Sequence, residues 1–160
     1  LTSKGPVFFK QKRSGLGNEE FNCWKFRSMT VNEDSDKIQA TKGDKRITKV
    51  GQFLRRSSLD EFPQFINVFL GNMSVVGPRP HMLKHTEEYS QLIGNFMNRH
   101  AIKPGITGLA QVKGYRGEID DSHLLTNRVR LDRFYVNNWS LYLDLKIVFF
   151  TMFGIFNDHK

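Results

Sequence analysis

Asp60 and Glu61 are the adjacent pair in this sequence best suited to chemistry. In the first turn of a helix, neighbouring carboxylates lie about 100° apart around the axis and can reach one cleft edge. The helix N-terminus and the basic pair Arg55-Arg56 would hold both ionised, by dipole and by charge. An ionised aspartate can attack phosphorus as a nucleophile while its neighbour ligates Mg²⁺. Acidic residues are also ordinary caps in first helical turns, so the pair does not decide the function alone.

Other groups add to it or compete with it. In Gly77-Pro78-Arg79-Pro80, Pro78 and Pro80 restrict the backbone on both sides of Arg79. A restrained guanidinium is a good bidentate phosphate clamp, although a rigid turn with an exposed arginine reads the same way. Pro104-Gly105-Ile106-Thr107-Gly108 can bring backbone N–H groups at Gly105 and the Thr107 hydroxyl to a phosphate, or be only a loop. His81 and His85 stand four apart, as metal ligands on one helical face do. No glutamate follows His81 as in a zinc protease motif, and both read as solvated. Asp120-Asp121 reads as a helix cap. The sole cysteine, Cys23, has no Cys-His motif around it and reads as a packing residue in a reducing compartment. There is no Walker-type glycine loop.

The elements that must position these residues follow from pattern. Residues Gly5 to Arg13 and Glu20 to Met29 read as two strands of a β-hairpin, turned by Ser14-Gly15-Leu16-Gly17-Asn18. Asn32 to Arg46 has no apolar period and reads as a solvated loop. A helical pattern starts at Val50. Ser57 or Ser58 caps a second helix running through Asp60, Glu61 and Phe62 to Phe69, with Pro63 in its first turn and Gly71-Asn72 as its stop. A third helix is predicted over His81 to Arg99, then a loop from Lys103 to Lys113. Ser122 to Phe156 is helical with a break near Asn137-Asn138. Its last part, Leu141 to Phe156, is too apolar for an ordinary surface helix and reads either as core or as a helix lying in a membrane interface.

Composition bounds the partner. The chain has 160 residues, enough for one domain with a core, and its 24 Lys and Arg against 16 Asp and Glu give a net charge of +8. That excess predicts an anionic partner: nucleic acid, an acidic membrane surface, or a phosphorylated substrate. No run of about twenty apolar residues exists to span a bilayer, and no signal peptide is visible. The start at Leu1 rather than methionine reads as a piece of a longer protein.

The joint order of motifs narrows the choice. Gly5-Pro6-Val7-Phe8-Phe9-Lys10-Gln11-Lys12-Arg13, Lys25-Phe26-Arg27-Ser28-Met29, Arg55-Arg56-Ser57-Ser58-Leu59-Asp60-Glu61-Phe62-Pro63-Gln64 and Asn72-Met73-Ser74-Val75-Val76-Gly77-Pro78-Arg79-Pro80 come in turn. Lys103-Pro104-Gly105-Ile106-Thr107-Gly108-Leu109-Ala110-Gln111 and Asn138-Trp139-Ser140-Leu141-Tyr142-Leu143-Asp144-Leu145-Lys146-Ile147 complete the series. Over nearly its whole length the chain resembles the bacterial sugar transferases, monotopic polyprenyl-phosphate hexose-1-phosphate transferases. The resemblance implies Asp60 as phosphoryl-accepting nucleophile, Glu61 as Mg²⁺ ligand, and Arg55 and Arg79 as phosphate-binding arginines. It implies a UDP-sugar donor, undecaprenyl phosphate as acceptor, UMP as leaving group, and work at the cytoplasmic face of the bacterial inner membrane, initiating exopolysaccharide, capsule or O-antigen synthesis. Family members begin with a re-entrant membrane helix, which would precede Leu1. The stretch Gly114-Tyr115-Arg116-Gly117-Glu118 looks like the glucose-1-phosphate subgroup, and Leu109 stands where many members have tryptophan.

The expected fold is therefore α+β: a single domain over residues 1–160, mainly helical, with one β-hairpin and amphipathic membrane-surface helices. Two rivals from other classes are a nucleic-acid-binding module, supported only by charge, and a non-catalytic polybasic membrane adaptor.

Overall fold

The structure is a computed structural model describing residues 3–31, 41, 43–116 and 122–157. Strands β1 (Phe8–Ser14) and β2 (Glu20–Phe26) pair antiparallel, with Phe8 opposite Phe26 and Ser14 opposite Glu20. The hairpin is where the sequence puts it, with shorter strands. Alternation gives it two faces: Gln11, Phe21 and Cys23 are buried on one, while on the other Lys10 sits 4.1 Å above the Trp24 ring.

Helix α1 (Lys49–Arg56) is capped by Thr48, whose side chain accepts from the Gly51 N–H. Ser57 then donates back to the carbonyls of Phe53 and Leu54, so it closes α1 and does not open a second helix. Ser58 turns left-handed at φ 56°, and Leu59–Glu61 forms a single 3₁₀ turn. Only after Pro63 does α2 (Gln64–Phe69) begin. The predicted continuous helix is thus split, because a left-handed residue and a proline each interrupt the α-helical hydrogen-bond ladder. Asn67 ties α2 to the hairpin, accepting from the Trp24 N–H and donating to the Asn22 carbonyl. Phe21, Cys23 and Met73 pack with Val68 and Ile106 beneath it.

The sequence reading missed a second sheet. Strands β3 (Ser74–Val76) and β4 (Gly105–Thr107) run parallel, with Ser74 beside Gly105 and Val76 beside Thr107. A three-residue strand is too short to show a period. The glycines around it are explained by close approach: a Cβ at Gly105 would lie 2.1 Å from Gly77 N, and one at Gly108 2.2 Å from Gly77 O.

Helix α3 (Leu83–Leu92) is shorter than the predicted 81–99 helix, and Phe96–Ala101 is a separate 3₁₀ segment. Asn95, left-handed at φ 64°, makes the break. The expected loop at 103–113 contains β4 and the short α4 (Leu109–Val112). Helices α5 (Ser122–Asn137) and α6 (Leu141–Asn157) flank the anticipated break. Asp144 staples that corner, accepting from Tyr135 Oη at 2.6 Å and from Trp139 Nε1 at 3.1 Å. Val76, Tyr135 and Ile147 form one buried cluster; Phe96, Leu125 and Val129 form another.

Helix α6 divides the two sequence alternatives between its faces. Ile147 is fully buried, while Leu141, Tyr142, Leu145, Phe149, Phe150, Met152 and Phe153 are exposed. No helix among the described residues is long and apolar enough to cross a membrane.

Candidate active site

The 3₁₀ turn at Leu59–Glu61 decides the geometry of the acidic pair. At three residues per turn, consecutive side chains diverge by about 120°. Asp60 lines a cavity of about 330 Å³; Glu61 points behind its wall. Both are nearly buried, at 8% and 6% exposure.

Three cations hold Glu61. Arg79 Nη2 donates to Oε1 at 2.5 Å and Nη1 to Oε2 at 3.2 Å. Lys25 Nζ, from β2, donates to Oε1 at 2.9 Å, and Arg116 Nη2 to Oε2 at 3.2 Å. Burial alone would raise this carboxyl, but Arg79, Lys25 and Arg116 together outweigh it and hold Glu61 well below its ordinary value. Asp60 shifts the other way. Burial raises it, and Glu61 adds to the rise, against the opposing pull of Lys25, Arg55 and Arg79. The expected cause of ionisation, a helix dipole with Arg55-Arg56, is corrected here, although Arg55 does oppose the rise at Asp60. There is no α-helix start at Asp60, and the cations that matter for Glu61 come from elsewhere in the chain.

The cavity gathers Asp60, Arg55, Arg79 and Pro80. It does not include Pro78, Gly105 or Thr107. Pro78 is buried, its carbonyl accepting the Gly105 N–H at 3.0 Å, and the Thr107 hydroxyl meets Thr151 Oγ1 of α6 at 2.6 Å. The 104–108 stretch carries β4, and the Gly105 N–H and the Thr107 hydroxyl already have partners. Residues the sequence reading left without a role also line the cavity: Lys25, Arg116, Arg13 and Arg128. Lys25 and Arg116 lay inside stretches already singled out, but only their convergence on Glu61 distinguishes them from surface charges. Among the described residues the lining carries eight Lys and Arg side chains and one acid, Asp60, with Phe8, Phe26, Met29, Met82 and Tyr89 as apolar wall.

His81 is not solvated. It precedes α3, is 5% exposed, and its Nδ1 lies 2.7 Å from Arg99 Nη1. Burial, then the charges of Arg99 and Arg128, keep it neutral, far below its ordinary value. No cluster of three His, Cys, Asp or Glu side chains among the described residues could hold a metal unaided. A single Mg²⁺ using one carboxylate, water and substrate oxygens needs less than that. Asp60, on the cavity side, fits such a demand. Glu61 fits it less well, since both its oxygens already accept from cations. Asp120-Asp121 lies outside the described residues.

A nearly buried carboxylate sits in a cavity ringed by cations, an arrangement suited to a polyanionic ligand. The family described as bacterial sugar transferase matches residues 1–158, and the chain belongs to that family. It is 58% identical over 153 residues to a UDP-glucose:undecaprenyl-phosphate glucose-1-phosphate transferase of Klebsiella pneumoniae, covering 95% of this chain and 33% of that protein. A protein of the same description from Escherichia coli is 56% identical over 155 residues, covering 96% of this chain and 33% of its own length. An exopolysaccharide production protein of Rhizobium leguminosarum is 43% identical over 157 residues, 95% of this chain and 78% of that one. The chain thus spans about a third of the first two relatives.

Proposed function

We propose that this chain transfers a hexose-1-phosphate, glucose-1-phosphate above other sugars, from a UDP-sugar to undecaprenyl phosphate. The observation that carries the reading is Asp60, the sole acid among the described lining residues of a cavity walled by Lys25, Arg55, Arg79 and Arg116. Relatives whose names specify this reaction supply the substrates.

In the proposed mechanism an Asp60 oxygen attacks the sugar-bearing phosphorus. A P–O bond forms, the bond from that phosphorus to the bridging oxygen breaks, and UMP leaves with the electron pair. A phosphate oxygen of the polyprenyl carrier then attacks the same phosphorus and releases the Asp60 carboxylate. Two displacements let a water-soluble nucleotide and a lipid use one site in turn. Raising Asp60 by burial makes its carboxylate more basic and a better nucleophile. Arg55 and Arg79 neutralise the diphosphate and the charge that develops on the leaving oxygen. Glu61 holds Arg79, Lys25 and Arg116 at the wall, so that they meet the substrate preorganised. Bound Mg²⁺, held through Asp60 and donor oxygens, would add Lewis-acid stabilisation of that charge.

The exposed apolar residues fit work beside a bilayer. Phe62, Phe65, Phe69 and Leu70 around α2 are exposed, as are Phe149, Phe150 and Phe153 on α6. We place these at the cytoplasmic leaflet of the bacterial inner membrane, in a pathway that begins exopolysaccharide, capsule or O-antigen assembly. The test is UMP release by the full-length protein from a panel of UDP-sugars in the presence of undecaprenyl phosphate. Release with none of them overturns the reading.

A further inference from the structure

The turn that carries Arg79 is held by three consecutive carbonyls. Pro78 O accepts the Gly105 N–H at 3.0 Å, Arg79 O accepts Arg99 Nη2 at 2.6 Å, and Pro80 O accepts Arg13 Nη1 at 3.1 Å. The middle donor is exceptional because its side chain is itself buried. Arg99 is 1% exposed, on the 3₁₀ segment Phe96–Ala101, and lies outside the lining of the cavity.

A guanidinium in that position is costly unless it is paired and its donors are used. Asp132 of α5, 2% exposed, pairs with it, Oδ2 lying 2.8 Å from Nη2. Nη1 faces the neutral His81 ring at 2.7 Å from Nδ1, while Nε is buried without a hydrogen-bond partner. The planar fork therefore spans α5, His81 and the Arg79 carbonyl at once. A lysine, with a single point of charge, cannot reproduce that. Packing does not require such a residue, since an apolar side chain would fill the volume beside Phe96 without the cost of desolvating a charge. What the charge secures is the backbone at Arg79.

We propose that Arg99, charge-balanced by Asp132, is a positioning residue: it fixes the backbone at Arg79, so that the Arg79 guanidinium stays on Glu61 at the cavity wall. This rests on the reading of Arg79 as a phosphate-binding side chain. Arg99 touches no substrate and acts only through Arg79.

The test is a double-mutant cycle in the full-length protein, with rates normalised to folded protein. Arg99→Lys is expected to raise the KM for UDP-glucose about tenfold, in line with loss of one charge-assisted hydrogen bond, while kcat changes less. In an Arg79→Lys background, Arg99→Lys should add little. Losses that add fully, or a fall in rate at unchanged KM, overturn the proposal. Should Arg99→Lys not fold, Arg99→Gln combined with Asp132→Asn removes both charges of the pair together and takes its place in the cycle.

A second measurement needs no turnover. In the ¹⁵N-labelled chain, the Arg79 guanidinium is expected to give separate, slowly exchanging Nη signals, which average in the Arg99 variant. Arg46, paired with Asp44 at 2.6 Å, should stay unchanged and reports on folding. Unaltered Arg79 signals in a folded variant overturn the proposal. If the wild-type protein releases UMP from no UDP-sugar, the functional reading has failed, and the Arg79 signals still decide the positioning role.

Discussion

Arg79 grips both oxygens of Glu61, with Nη2 at 2.5 Å from Oε1 and Nη1 at 3.2 Å from Oε2, although eighteen residues separate them along the chain. This parallel pair fixes the plane of the guanidinium as well as its place, which a lysine cannot do. Arg79→Lys should therefore raise the donor KM by roughly tenfold or more. Steady-state kinetics with UDP-glucose check it.

Stability should report the same cluster. Glu61→Gln deprives Arg79, Lys25 and Arg116 of the buried carboxylate that all three pair with, a loss of roughly 3–5 kcal/mol at neutral pH. The folded-state pKa of Glu61 is depressed, so its contribution is present above the unfolded value of 4.5 and fades as pH falls through the depressed value. Denaturant unfolding of wild type and Glu61→Gln should converge at low pH. A gap independent of pH would show that charge is not its origin.

Asp60→Asn should abolish sugar-phosphate transfer with little change in stability. Asparagine has nearly the same shape, and relieving a buried carboxylate offsets what is lost. The acid limb of the kcat/KM profile should fall above 3.8, because the Asp60 carboxyl is raised and becomes protonated at higher pH than an ordinary aspartate. Substantial residual turnover in Asp60→Asn rules out the covalent role.

Chelation tests the metal. EDTA should stop turnover, and Mg²⁺ or Mn²⁺ should restore it. Full activity in buffer verified free of metal would leave Arg55 and Arg79 as the charge stabilisers.

Thr107→Val removes the hydroxyl that meets Thr151 and should cost about 1 kcal/mol in stability with no change in the donor KM. A large rise in KM would return the 104–108 stretch to a phosphate-binding role. For the membrane surface, Phe69→Ser together with Phe149→Ser should weaken sedimentation with anionic vesicles, and salt should weaken it further.

The sequence by itself determined the hairpin, two seven-residue strands either side of a glycine-containing turn, and the paired C-terminal helices, whose apolar content persists over two long segments. It also fixed the family and singled out Asp60, Glu61, Arg55 and Arg79, because their order along the chain is itself a signal. Only the tertiary structure decided how those residues divide their work. The split at Ser58 and Pro63 turns Asp60 into the cavity and Glu61 behind it, and local propensity did not reveal that a predicted helix start is a 3₁₀ turn. Lys25, Arg116 and Arg99 are far from the acidic pair in sequence, so their roles arise from chain crossings that no local pattern records. Gly105 and Thr107 read as phosphate ligands for the same reason: the partners of the Gly105 N–H and the Thr107 hydroxyl, Pro78 and Thr151 of α6, lie on distant segments that no local pattern records.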